Sequence, residues 1–95
     1  MAAIMAAIDY FFKGWMDIYM QLVKWSYMRR NNIRAFFDQF PNSPVIFRKI
    51  RDYYFVYTVH WTAADAPIGI KELEEMEQLL NRELGTELQY LYRKK

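Results

Sequence analysis

Ser43-Pro44-Val45-Ile46-Phe47-Arg48-Lys49-Ile50-Arg51-Asp52-Tyr53-Tyr54-Phe55-Val56-Tyr57-Thr58-Val59-His60-Trp61 decides the fold class, because it supports two opposed readings. Ser43-Pro44 has the form of a helix N-cap followed by proline at the first helical position, where no N–H is needed. From there Ile46, Ile50, Tyr53, Tyr54, Tyr57 and Trp61 recur at helical spacing, with Arg48, Lys49, Arg51 and Asp52 crowding the opening turns. Tyr53 to Trp61 competes as a strand, since Tyr, Phe, Val, Thr and Trp all favour sheets. A strand needs a partner, and no other segment offers a convincing one, so the helix is preferred.

The preceding residues lead the same way. Asp9, Lys13, Asp17, Gln21 and Lys24 fall on one narrow stripe of a helix, and every other direction is apolar or aromatic. Asp9–Lys13 and Lys13–Asp17 are i,i+4 pairs that partly neutralise that stripe. Residues 2–28 therefore read as one long helix, closed by the polar break Arg29-Arg30-Asn31-Asn32. A shorter helix follows, with Ile33, Phe36, Phe37 and Phe40 on one side, Arg34, Asp38 and Gln39 on the other, and Pro41 as its stop.

Beyond Trp61 the pattern is plainer. Residues 62–69 form a linker with Pro67 and Gly69 as breakers. Ile70 to Leu84 is the clearest helix, apolar along Leu73, Met76, Leu80 and Leu84 and acidic elsewhere. Gly85 suits a C-cap or kink. Thr86-Glu87-Leu88-Gln89 has capping-box spacing for a short final helix, and Arg93, Lys94 and Lys95 suit its C-terminus. Leu91-Tyr92-Arg93 resembles the tripeptide of LYR proteins. In that family it opens the first helix; here it lies at the other end, and no site residue is carried over.

The predicted fold is all-α and extended. A single chain of 95 residues divides into an apolar helix (1–30), aromatic-rich helices (31–61), a linker (62–69) and an acidic amphipathic arm (70–95). Of eighteen aromatic residues, sixteen lie between Tyr10 and Trp61, which favours surfaces that are dry on one side and wet on the other. Residues 1–61 carry eight Lys/Arg against four Asp/Glu, and residues 62–95 five against seven. The net charge of +2 gives little overall attraction to nucleic acid. The basic group Lys24, Arg29, Arg30 and Arg34 beside Phe36 and Phe37 lacks an accompanying nucleic-acid motif.

Chemistry has few footholds. The absence of cysteine removes disulfides, thiolate metal sites and thiol nucleophiles. His60 is the one histidine, set among Tyr57, Val59 and Trp61, and reads as a packed core residue. Gly14, Gly69 and Gly85 are isolated and form no phosphate-binding loop. The expectation is no enzyme, no catalytic residue, no cofactor and no metal.

A helix this greasy requires a cover. A lipid or protein interface is predicted at Phe11, Phe12, Trp15, Tyr19, Leu22, Trp25, Tyr27, Arg29 and Arg30, and a partner-docking helix at Leu73, Met76, Leu80 and Leu84. The expected role is a structural, accessory subunit of a multisubunit membrane complex. The setting suggested by analogy is a mitochondrial inner-membrane ATP synthase or respiratory complex. The expected partners are other protein subunits and membrane lipid, with no nucleic acid and no small-molecule substrate. The alternative is a soluble helical binding module or phage or viral inhibitor that buries its aromatic face on a partner protein. No cleavable signal is recognised.

Overall fold

The computed structural model describes residues 20–93. Four strands form an antiparallel meander: β1 (Leu22–Tyr27), β2 (Asn32–Phe37), β3 (Phe40–Ile50) and β4 (Tyr53–Val59), in the spatial order of the sequence. Two helices follow, α1 (Ile70–Leu84) and α2 (Glu87–Tyr92). The all-α prediction is overturned. The long first helix is a strand over Leu22–Tyr27, Met20, Gln21 and Met28 beside it are not helical, and residues 2–19 lie outside the described residues. The helix expected from Ile33 to Phe40 is β2 with its turn, and Pro41 sits within β3. The stretch read as a helix from Ser43 to Trp61 is a hairpin that folds back at Arg51-Asp52, so the competing strand reading was the right one for its second half.

The physical reason is visible in β2. Ile33, Ala35 and Phe37 alternate with Asn32, Arg34 and Phe36; the first three are fully buried and the second three are not. That is the period of a half-covered sheet. Aromatic residues on the wet face and three breaks in register hide the same period elsewhere, between Leu22 and Lys24, Ala35 and Phe37, and Ile46 and Phe47. The missing partner for Tyr53–Val59 was its own neighbour β3, which carried proline and charges and so did not read as a strand.

One face of the sheet is dry. Ile33, Ala35, Phe37, Phe40, Val45, Phe47 and Tyr54 meet Met20 and, from α1, Met76 and Leu80 in one core. Leu22, Trp25, Val56, Leu73 and Leu84 close its margin. Each large side chain fully buried there contributes about 1.5–3 kcal/mol of transfer free energy. The chain is thus not an extended string of helices, because the apolar stripe of α1 is spent on its own sheet.

Boundaries of the helical part were read correctly. α1 spans Ile70–Leu84, opened by the Gly69 N–H donating to Glu72 Oε1 at 2.9 Å and closed by Gly85 at φ 82°, the left-handed geometry a C-cap glycine supplies. α2 starts where expected, but Thr86 does not use its hydroxyl as a cap. Thr86 Oγ1 donates instead to Asn81 Oδ1 at 2.7 Å.

Asn81 is the buried polar hinge of the fold. Its side chain accepts the Tyr54 N–H at 2.8 Å and donates Nδ2 to the Tyr54 carbonyl at 2.8 Å, so a helix amide stands in for a neighbouring strand. Glu77, one turn earlier, accepts the Val56 N–H at 2.8 Å and the Tyr90 hydroxyl at 2.8 Å. Burial, and then the neighbouring Glu77 carboxylate, push the Tyr90 phenol above its ordinary range and keep it a donor. The exposed edge of β4 is thereby sealed by side chains of α1.

A second polar clasp holds the linker. Asp65 accepts Ser43 Oγ at 2.6 Å, the Asn42 N–H at 2.9 Å and Asn42 Nδ2 at 3.2 Å, while Ser43 Oγ also accepts the Thr62 N–H. Burial is the largest single influence on this carboxyl and pushes its pKa up. The bonds from Ser43 and Asn42 outweigh it, and the net shift is downward.

Three outcomes follow from these contacts. Asn81→Ala strands the Tyr54 N–H and carbonyl and should lower unfolding free energy by about 3 kcal/mol, measured by urea titration. A loss below about 0.5 kcal/mol would show that β4 does not depend on this amide. Asp65 is held below its unfolded pKa, so its stabilisation is complete above the ordinary carboxylate range of about 4 and fades as pH falls through the lower native value. Asp65→Asn should therefore lower Tm at neutral pH and flatten the acid limb of the Tm–pH curve. Finally, Arg30 sits at φ 61° and ψ 39°, and Arg30→Gly should raise stability by about 1 kcal/mol.

Candidate functional site

The meander places its first and third turns at the same end of the sheet. Arg29-Arg30-Asn31 forms the first, with the Asn32 N–H donating back to the Arg29 carbonyl; Arg51-Asp52 forms the third. In register, Asn32 lies opposite Arg48, and Arg48 Nε donates to Asn32 Oδ1 at 3.3 Å, linking the two hairpins. Arg29, Arg30, Arg48, Lys49 and Arg51 thus lie at one end of the sheet, Lys49 on the α1 side with its Nζ 5.9 Å from the Tyr54 ring centroid, and Asp52 is the acid among them. Sequence reading saw the first basic pair and placed the second group on a different helix.

The backbone adds an independent observation. Arg30, Asn31 and Arg51 have φ values of 61°, 62° and 57°, and all three belong to this end. Consecutive left-handed residues match the two-residue hairpin geometry that normally selects Asn-Gly. Asn31 conforms, but arginine at Arg30 and Arg51 costs about 1–2 kcal/mol at each position relative to an unstrained backbone. Strain of this kind is retained where the side chain matters for something besides folding.

From that end the cations run onto the sheet face turned away from α1. Arg48 Cζ lies 3.7 Å from the Tyr57 ring centroid. Lys24 Nζ and Arg34 Cζ lie 4.9 and 5.7 Å from the Phe36 ring. Lys24, Trp25, Ser26, Arg34 and Phe36 enclose a shallow hollow of about 140 Å³. Ile46, in register between Arg34 and Thr58, is 5% exposed and floors the face. Residues 20–61 hold seven Lys/Arg and two Asp/Glu, whereas residues 62–93 hold three and seven. The described residues therefore form a polar body, with a cationic sheet face and acidic helices behind it.

The sites predicted from sequence are distributed differently. Phe11, Phe12, Trp15 and Tyr19 lie outside the described residues. Leu22 and Trp25 pack against the core; Tyr27 is exposed and meets Trp25 edge-on at 5.2 Å; Arg29 and Arg30 are exposed in the turn. Met76 and Leu80 of the proposed docking helix are fully buried under the chain's own sheet, with Leu73 and Leu84 at its margin. His60 is exposed, contrary to the packed-core reading, and its N–H donates to the Pro44 carbonyl. No group of three or more His, Cys, Asp or Glu residues placed to hold a metal occurs among the described residues.

The expected membrane role is also corrected. No helix among the described residues is long and apolar enough to cross a membrane, and the described part of the segment that suggested one, residues 20–28, contains the strand Leu22–Tyr27 and no α-helix. The proposed mitochondrial or respiratory setting and the membrane localisation lose their basis with it. The soluble-inhibitor alternative required a helical aromatic face, which the strands replace. No curated protein and no solved structure gives a significant match to the chain. Residues 21–95 match the family described as Uncharacterised protein YuzH, well over half of the chain, and the protein belongs to that family.

Proposed function

We propose that this protein is a non-catalytic binding module that holds a polyanion against the cationic end of its sheet and the sheet face turned away from α1. The observation that carries this reading is the convergence of two basic turns whose arginines occupy left-handed backbone positions. A solvated charge run needs no such conformation, and glycine would make both turns at lower cost. Arginine supplies a planar fork of donors suited to phosphate or sulfate oxygens, and five cations within one end focus the field there. The acidic helices behind the sheet orient the molecule by repelling the same ligand.

A non-catalytic role is supported by the chemistry on the face. Besides the cations, its polar groups are Ser26, Asn32, Tyr57 and Thr58, with Asp52 in the turn, and no hydrogen bond pairs a nucleophile among them with a base. Binding by positioned charge needs nothing more.

The test is fluorescence anisotropy with a labelled heparin fragment, used as a sequence-free polyanion, across a salt series. Affinity should fall linearly in log–log form as salt rises. The pair Arg30→Gln and Arg51→Gln should weaken binding by about tenfold or more, because each charge-assisted hydrogen bond contributes about 1.5–3 kcal/mol. Lys71→Gln, on the helical side, should leave it unchanged. Equal affinity in the turn variant, or binding indifferent to salt, would remove the turns from the site.

A further inference from the structure

We infer that the polyanion is single-stranded nucleic acid, with bases stacking on the sheet face at Tyr57–Arg48 and Phe36; this rests on the polyanion reading above. The geometry is specific to a ligand with both charge and flat aromatic surface. Tyr57 is 51% exposed and carries the Arg48 guanidinium 3.7 Å above its ring. Arg48 Nε is tied to Asn32 Oδ1, which restricts rotation of that plane. Ring and guanidinium together offer a pre-ordered stacking platform, and less side-chain entropy is lost when a base joins it. Phe36 on β2 gives a second, looser site, with Lys24 Nζ 4.9 Å and Arg34 Cζ 5.7 Å from its ring centroid. The platforms lie on β2 and β4, two strand spacings or about 10 Å apart across the sheet and further offset along the strands, with β3 and Ile46 between them.

Each platform joins an aromatic ring to a cation that reaches the backbone of the strand it stacks. Such interleaving is what a single strand requires, because its bases are unpaired and its phosphates follow at short intervals. A duplex hides its base faces and is entered by a protruding helix or ribbon. This face is a sheet with a shallow hollow, and the outer side of α1 is acidic. An anionic membrane is disfavoured for a related reason. Insertion would engage the exposed Met28 and Ile50 at the cationic end and leave the Tyr57–Arg48 stack unused, whereas a base can add to the outer plane of that stack.

The experiment compares a labelled oligonucleotide of about 12 nucleotides, within the span of small binding domains, with its duplex, a heparin fragment and phosphatidylserine vesicles. Wild-type protein should prefer the single strand to the duplex. Tyr57→Ala should weaken single-strand binding roughly tenfold, Tyr57→Phe should retain it, and neither should change heparin affinity. Arg48→Lys keeps the charge and removes the planar stack, so it should reproduce the Tyr57→Ala pattern even if that variant folds poorly. Strand and heparin affinities that both ignore Tyr57→Ala and Arg48→Lys would overturn stacking while leaving the polyanion reading intact. Stronger binding to the duplex or to vesicles would likewise overturn it. No binding to any of the four probes would sink both readings.

Discussion

The architecture depends on how the edge of β4 is closed. A sheet edge presents backbone donors and acceptors that must be paired, hydrated or covered. Here the cover is a helix whose side chains imitate a strand: Asn81 bonds both polar groups of Tyr54, and Glu77 takes the N–H of Val56. Both residues lie one helical turn apart, so α1 runs along the edge rather than across it. Thr86 and Tyr90 from the following segment hold the same two side chains from behind. Register between helix and sheet is therefore set by hydrogen bonds, and the fit of Met76 and Leu80 into the core follows from it.

This placement leaves the opposite face of the sheet to do something else. With α1 committed to the Ile33–Phe47 side, Lys24, Arg34, Phe36, Arg48 and Tyr57 lie on the other side of the sheet. The charge asymmetry of the sequence then becomes a spatial asymmetry. Acidic residues of α1 and α2 lie behind the sheet, and the basic residues of the strands and turns lie on its front and at one end. A ligand attracted to the front is repelled from the back, which gives orientation without a deep pocket.

Which parts were legible in the sequence follows from the range of the forces involved. α1 was readable to the residue, because its stripe, Gly69 and Gly85 are local signals within one turn of each boundary. The hairpins were not. Asp38-Gln39 and Arg51-Asp52 lack the glycine that marks such turns, and the bulges shift the alternation of their flanking strands. Thr86 shows the same limit on a smaller scale. Its capping-box spacing signalled the right helix, yet its hydroxyl was recruited by Asn81, five residues earlier.

Composition alone established an aromatic, cysteine-free chain with basic and acidic halves, local periodicity established α1, and capping-box spacing pointed to α2. The pairing of four strands, the burial of the supposed docking helix and the placement of Arg30 and Arg51 at one end of the sheet were decided in three dimensions. The reason is that strand identity is a property of pairs. Tyr53–Val59 becomes a strand only when β3 lies beside it and Asn81 and Glu77 cover its far edge at Tyr54 and Val56, 27 and 21 residues away along the chain.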